Sequence, residues 1–549
     1  MALDLTEEQR IAGRRNFEEA TGELTRRGFM KSMVAAGAVV PLTAAVYFGY
    51  DSWRGNKAVR TALVGCGDEG GVLVGDHNPE FNEIVAVCDI RPYNMKRIFA
   101  GDTGPRKGLN KVYGKSTAEK IAKYDDYKKL IDDSKNLGIE AVIIATPLVL
   151  HAPMAIDFMN AGIHVFSEKL MARTIPLCKD MIKTAKEKKT LIGVGHQRHY
   201  SMLYAHALEV VQSGVLGDLK HIKAQWPRNN SWPYDVTTEK EKVAKGYKLP
   251  ELHDSWFKAI YQVDADALKD PEVLKRHGFT SMEELIRWRC YNRTGGGLMA
   301  ELGSHQLDAA SIFLGDVRPL SVQGVGGKFF FGPGKNDRES DDCVFVNYEF
   351  PGKNHPKGPN GGGKDESDIV VVSYTSFNTN SFEQYGECLM GSRGTMLVEM
   401  ERDVFLYKEK EPGPSKVKTK PKETAVKVTA EKAGEASMAA SSTWGGGGAA
   451  VSKESSAPAW DTPVRGYRSE LEHFAYCVRR WDKSIGWEKK DGKFVQEVPL
   501  CHGEVAMADA ILALTANFAM KTKQRIEFES NWFDADKSDS PEGKYDKTA

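Results

Sequence analysis

The chain has 549 residues, enough for two domains with extensions and a large buried core, and its 75 basic and 75 acidic residues cancel at neutral pH. That balance offers no basic face for nucleic acid. Eight cysteines are too few for a disulfide framework and read as free buried thiols.

The N-terminus reads as an address. Thr25-Arg26-Arg27-Gly28-Phe29-Met30-Lys31 precedes a mostly apolar, uncharged run from Met33 to Tyr50, which is the twin-arginine export pattern. Arg14-Arg15 has no apolar stretch behind it and is read as a decoy. Residues 1–57 are therefore expected to be signal and linker, with Thr43-Ala44-Ala45 as the candidate cleavage site and a periplasmic destination. The apolar run is near the lower limit for spanning a bilayer, so an uncleaved signal would tether the protein to the membrane.

Next comes a short apolar strand, Thr61–Val64, flowing into Gly65-Cys66-Gly67-Asp68-Glu69-Gly70. A second apolar run, Ile84–Cys88, ends at Asp89. Strand, glycine turn, helix and a strand closing on a carboxylate together make a dinucleotide site. Gly65 permits the tight turn, Gly67 lets backbone approach a pyrophosphate, and Gly70 lets helix and strand pack closely. Asp89 is placed to accept both ribose hydroxyls, which favours NAD; Arg91 is placed to offset repulsion of a 2′-phosphate, which leaves NADP open. Export of the folded protein implies that the cofactor stays tightly bound.

Further strands follow at Ala141–Ala145, ending on Thr146-Pro147, at Ile163–Phe166, delivering Glu168-Lys169, and at Leu191–Gly195, followed by His196-Gln197-Arg198. A helix over Ala152–Asn160 closes at Gly162. Residues 58–200 thus read as a doubly wound α/β Rossmann domain. Longer strands at Leu219–Trp226, Leu320–Phe331, Cys343–Phe350, Asp368–Phe377 and on through Tyr407 have short turns between several of them. They predict an α+β C-terminal domain with a large, mostly antiparallel open sheet over 201–410 and 464–535. Arg468–Trp481 and Glu504–Lys521 read as helices returning to the body. Residues 411–463 are a low-complexity surface insertion, and 536–549 a tail.

Two constellations carry chemistry. Lys169 stands just past a parallel strand, at the edge where open α/β sheets bind ligands. There it can hydrogen-bond a substrate hydroxyl, with Glu168 near the nicotinamide ribose; on spacing alone a surface ion pair is the simpler reading. After Gly295-Gly296-Gly297, a helix to Leu314 places Glu301, His305 and Asp308 on one face. A carboxylate one turn away can fix a histidine's tautomer, and the histidine can then act as general base. An amphipathic helix with a hydrogen-bonded histidine is the plainer alternative. The stretches Gln225–Tyr234, with Trp226, and Trp288–Arg293, with Arg289 and Tyr291, mix aromatic and polar groups as a sugar site does, and equally as domain packing or a dimer contact does. Arg198 joins them as a candidate substrate contact. No metal-ligand spacing is read.

Together these segments resemble the Gfo/Idh/MocA family, which includes glucose–fructose oxidoreductase and inositol dehydrogenase. Gly65–Gly70 is similar to its nucleotide loop, and Thr146-Pro147 with His151 to its segment beside the nicotinamide. Glu168-Lys169 resembles its Glu-Lys-Pro motif, with Leu170 in place of proline. Gly303-Ser304-His305-Gln306-Leu307-Asp308 resembles its glycine-run helix with a catalytic histidine, and Glu301 stands where members often place an aspartate. The resemblance implies hydride transfer between nicotinamide and a secondary hydroxyl carbon of a sugar, polyol or glycoside. Lys169 and His305 would handle the proton, with Glu301 as orienter. Gly65, Gly67, Gly70, Asp89, Arg91, Thr146, Pro147, His151, Glu168 and Lys169 would hold the cofactor. A homo-oligomer assembled through the sheet is also implied. Two alternatives remain: an NAD-recycling glycosidase acting by transient oxidation and elimination, and a non-catalytic sugar-binding protein on the same fold.

Overall fold

The computed structural model describes residues 5–33, 44–53, 56–102, 105–228, 243–247, 254–332, 335–336, 338–409, 427–430, 436–439 and 465–546. Its first sheet is built from β1 (Val59–Val64), β2 (Asn82–Cys88), β3 (Ala122–Tyr124), β4 (Ala141–Ile144), β5 (His164–Glu168) and β6 (Ile192–Gly195). All neighbours are parallel, in the order β3-β2-β1-β4-β5-β6. Both faces are covered, which is why β4 is an unbroken Ala-Val-Ile-Ile run and every residue in it is buried. Phe158 and Met181 belong to the core on one face, Leu73 and Ile98 to the core on the other. The strand order reverses between β1 and β4, so a crevice opens at their carboxyl ends.

The second sheet contains β7 (Leu219–Gln225), β8 (Ser321–Gly327), β9 (Cys343–Pro351), β10 (Ile369–Phe377), β11 (Gly386–Gly391), β12 (Gly394–Glu399), β13 (Asp403–Glu409), β14 (Lys427–Ala430) and β15 (Ala436–Ala439). It is mostly antiparallel, with parallel pairs at β7/β10 and β13/β15. In β10, Val370, Val372 and Tyr374 turn inward at the strand period of two. The helix Gly503–Thr522 packs across β8 and also against the Rossmann helix Ile175–Lys188, so it joins the two domains.

Several boundaries differ from the sequence reading. Residues expected as signal and linker are partly built into the body. The helix Glu7–Met33 lies on β13, where Arg14 pairs with Asp403 at 2.7 Å, and Arg10 pairs with Glu399 at the end of β12 at 3.0 Å. Trp53 stacks on Phe81 at 4.3 Å. The apolar stretch 34–43 lies outside the described residues. The helix Tyr467–Arg480 returns to the Rossmann domain rather than to the second sheet, because Leu471, Phe474, Ala475 and Val478 form an apolar stripe that enters its core. The expected tail is docked: Glu542 accepts the Ile175 backbone N–H at 2.7 Å, and Lys179 donates to the Asp539 carbonyl at 2.7 Å. Within the low-complexity insertion, β14 and β15 extend the sheet edge; the rest lies outside the described residues.

Candidate active site

A cleft of about 260 Å³ opens at the carboxyl ends of β1, β2, β4 and β5. Gly65, Gly67, Asp89, Arg91, Thr146, Pro147, His151, Glu168 and Lys169 all line it. Gly65 has φ +96°, and a Cβ there would sit 2.3 Å from the Ala145 carbonyl oxygen. Gly70 does not line the cleft; a Cβ on it would meet the Gly65 oxygen at 2.1 Å, so it serves the close packing of helix on strand. At Gly67 a Cβ would have nothing within 4 Å, which leaves the backbone open at the start of the helix Asp68–Asp76.

Asp89 closes the turn from β2. Its carboxylate accepts N–H groups of Cys66 at 2.8 Å and Arg91 at 2.8 Å, and the Asn94 amide at 3.1 Å. Burial pushes its pKa up. The Arg91 guanidinium pairs with fully buried Asp264 at 2.9 Å, so its charge is committed there rather than to a 2′-phosphate. Asp89→Ala is accordingly expected to weaken NAD binding about 10–100-fold, the equivalent of about 1.5–3 kcal/mol of charged hydrogen bonding, in a titration of nucleotide-stripped protein.

Acids in the first helical turn would repel phosphate, and the structure answers this at Asp68. Burial raises its pKa, but Lys258 and Arg97 more than reverse that and hold it at about 2. Arg97 lies at 2.8 Å and Lys258 at 3.6 Å. Glu69 and Glu168 also line the cleft, each with a buried Oε1 lacking a partner, as does the hydroxyl of Thr146. Burial pushes both glutamates up, Glu168 strongly. These unmatched buried groups fit a bound nucleotide that brings its own donors and acceptors. Lys258, Arg97 and Glu69 escaped the sequence reading; Asp68-Glu69 inside the glycine motif was the one visible hint.

His151 spends its ring on the scaffold. Its nitrogens lie 2.8 Å from the Leu170 carbonyl and 2.9 Å from the Thr146 carbonyl, tying the exits of β4 and β5 together. Burial pushes its pKa down. Just beyond β5 the Lys169–Leu170 peptide is cis. Lys169 Nζ donates to the Glu301 carbonyl at 2.7 Å.

Glu301 does not orient His305. A π turn over Met299–Gly303 precedes the α-helix Ser304–Leu314, and its extra residue per turn breaks the expected one-turn alignment. The Glu301 carboxylate instead accepts from Arg289 at 2.7 Å. Burial raises its pKa, but Arg289 and Lys169 outweigh this and hold it at about 2. Asp308 also serves another group, accepting from His199 at 2.7 Å. The buried His305 ring forms no hydrogen bond among the described residues and lies 5.3 Å from the Trp226 ring. Burial, then Lys169 and Arg198, push its pKa well below 6.5, so it is neutral at physiological pH. His305 lies outside the cleft lining and is linked to it through this coupling to Lys169.

The expected substrate contacts divide. Trp226 stacks on Tyr385 at 4.4 Å beside His305, with Arg228 5.2 Å above its ring. Arg289 lines the cleft. Arg198 does not face substrate: it is 1 % exposed, pairs with Glu387 at 3.0 Å and Glu401 at 2.9 Å, and donates to the His305 carbonyl. Its two carboxylates explain its burial, and its task is to hold the His305 helix. Tyr291 packs against the main core, outside the cleft.

Residues 59–196 match the GFO_IDH_MocA family model, an oxidoreductase family with an NAD-binding Rossmann fold. Residues 262–358 match the model of that family's C-terminal alpha/beta domain. A glycosyl hydrolase family 109 protein of Stenotrophomonas maltophilia is 32% identical over 259 residues, 46% of this chain and 53% of that protein. An alpha-N-acetylgalactosaminidase of Shewanella oneidensis is 28% identical over 225 residues, 40% of this chain and 47% of that protein. The chain thus spans about half the length of these relatives. Among solved structures, the aldose-aldose oxidoreductase of Caulobacter crescentus, complexed with glycerol, is similar with TM-score 0.51 and 14% identity, covering 86% of this chain and 100% of that one. An inositol dehydrogenase homolog of Azotobacter vinelandii, complexed with NADH and myo-inositol, gives TM-score 0.51 and 13% identity, covering 86% and 98%.

Proposed function

We propose that the chain, whose residues 59–196 and 262–358 match the Gfo/Idh/MocA family models, moves hydride between NAD and a secondary hydroxyl carbon of a sugar, polyol or glycoside. The observation that carries this reading is Lys169, fixed at the cleft by its 2.7 Å bond to the Glu301 carbonyl, near enough to push down the pKa of His305, whose ring forms no hydrogen bond among the described residues. When bound, NAD supplies the hydride acceptor or donor. Gly67 and the helix behind it would hold its pyrophosphate, Asp89 its ribose, and Thr146 and Glu168 its nicotinamide half.

Of the three Nζ donors of Lys169, one is used on Glu301, which leaves two for a substrate oxygen. The cation stabilises the developing alkoxide, and neutral His305 accepts the hydroxyl proton. Arg289 on the cleft wall is a donor for the sugar hydroxyls, whereas Trp226, stacked on Tyr385 with Arg228 over its ring, does not line the cleft. The test is to purify the mature protein, read its bound nucleotide by absorbance, and add sugars and glycosides one at a time. A sugar that raises the reduced-nicotinamide signal is the expected result. A protein that neither carries nor takes up nucleotide, or whose nucleotide no sugar changes, defeats the proposal.

A second reading uses the same hydride step. The glycosyl hydrolase names of the relatives favour a glycoside that is transiently oxidised, cleaved by elimination and reduced again. Aglycone release without net nucleotide reduction would select it.

Export through the twin-arginine route to the periplasm belongs to the same proposal, with Arg26-Arg27 as its signal and a membrane tether where that signal is retained. Free nicotinamide nucleotide is absent outside the cytoplasm, so the cofactor would be held tightly and turned over in place. Exposed Val325 and Phe345 on the second sheet support its self-association.

A further inference from the structure

Behind the His305 helix, five groups with metal-binding atoms converge from three distant parts of the chain. His196 is the first residue after β6, and His199 follows in the turn Gln197–Tyr200. Asp308 lies on the helix Ser304–Leu314, and Asp509 on Gly503–Thr522, just after Cys501. Ligand atoms of His196, Cys501 and Asp509 lie within 4.8 Å of one another, as do those of His199, Asp308 and Asp509. The His196 Nδ1 is 3.7 Å from Asp308 Oδ1 and 3.9 Å from Asp509 Oδ2. A tetrahedral ion with bonds of about 2.0–2.3 Å spaces its ligands by roughly 3.3–3.7 Å. The two His196 separations are close to that spacing.

Water cannot satisfy these groups from outside. His196 and Cys501 are 0 % exposed, Asp308 1 % and Asp509 2 %. Among the described residues, both ring nitrogens of His196, Asp308 Oδ2 and Asp509 Oδ2 have no hydrogen-bond partner. Four such atoms in one buried spot are a deficit that a native core does not normally carry. A cation at Nδ1 supplies a partner for one His196 nitrogen and for both carboxylate oxygens.

We propose that His196, Cys501, Asp308 and Asp509 hold a structural zinc ion. The donor set decides the metal: an imidazole and a thiol beside two carboxylates suit zinc, whereas calcium and magnesium prefer oxygen alone. Four protein ligands and full burial make a closed, structural site. Binding releases the Cys501 thiol proton to solvent as the zinc–sulfur bond forms. His199 does not ligate; its 2.7 Å bond orients the Asp308 carboxylate, as outer partners of metal ligands do. The backbone already brings the parts together, since the Val194 N–H donates to the Cys501 carbonyl at 3.0 Å. Because Asp308 is one turn beyond His305, the ion pins the His305 helix to β6 and to the C-terminal helix. It positions His305 and touches no substrate.

The test is metal content of the untagged full chain, purified without chelator. About one zinc per chain is expected, with Cys501→Ser and His196→Ala each retaining less than a tenth of it and Lys169→Ala retaining all of it. Cobalt exchanged into the wild-type protein should give a thiolate-to-cobalt charge-transfer band that Cys501→Ser lacks. If a variant fails to fold, the wild-type zinc content and cobalt band still decide. Wild-type protein that takes up neither metal at equimolar supply, or zinc content that both folded variants keep, overturns the proposal. None of these readouts depends on sugar or nucleotide chemistry.

Discussion

Lys169→Ala is expected to lower turnover of the sugar substrate at least about 100-fold while nucleotide stays bound. The ammonium is built into the site from two sides. β5 delivers it at its carboxyl end, and the Glu301 carbonyl fixes its Nζ at 2.7 Å. Truncation removes the donor aimed at the substrate oxygen without touching Gly67 or Asp89, so the loss belongs in kcat rather than in nucleotide retention. A second readout separates this role from mere packing. Lys169 is one of the causes, after burial, that depress the His305 pKa. Lys169→Met keeps the side-chain volume and removes the charge, so the His305 pKa must rise. The acid limb of the pH–rate profile should then move to higher pH. A turnover within tenfold of wild type in both variants would falsify the assignment.

The nucleotide half of the site was legible in the sequence because its constraints are local. Gly65 and Gly70 are forced by each other and by the Ala145 carbonyl, and Asp89 ends the very next strand. The catalytic half was legible only in its residue types, since the partners arrive from far along the chain. Arg198 at a strand exit looks like a substrate contact until Glu387 and Glu401 are placed around it. Arg91 looks free to meet a phosphate until Asp264 occupies it. Glu301 looks like the partner of His305 as long as the helix is taken as regular; the π turn over Met299–Gly303 removes that alignment, and Arg289 takes the carboxylate. The docking of the helix Glu7–Met33 was hidden for a related reason. Arg10 and Arg14 pair with Glu399 and Asp403 while Leu5 and Ala12 pack beside Phe405 and Tyr407, a mix that leaves only a faint apolar signature in the sequence. The buried cluster around His196 has no local spacing at all, because Asp308, Cys501 and Asp509 meet it only through the packing of two helices.

His305→Ala is expected to cost about as much as the lysine variant, about 100-fold or more in turnover, again with nucleotide retained. The argument rests on protonation. A base must be neutral to take a proton, and a histidine of ordinary pKa, about 6.5, would be half charged at that pH. Burial, Lys169 and Arg198 push His305 well below that value. The sign follows directly: the neutral form is the one present above the pKa, so lowering the pKa extends the active range toward acid. Alcohol oxidation by the wild-type protein should therefore stay level as the pH falls from about 8 through 6.5, and decline only below it. His305→Gln keeps a polar side chain but no titrating base, so its residual rate should show no acid limb from this group. A wild-type profile that loses half its rate near pH 6.5 would mean that His305 titrates as an ordinary exposed histidine and is not the buried base. A His305→Ala rate within tenfold of wild type would remove it from the chemistry altogether, leaving proton removal to Lys169 or to solvent.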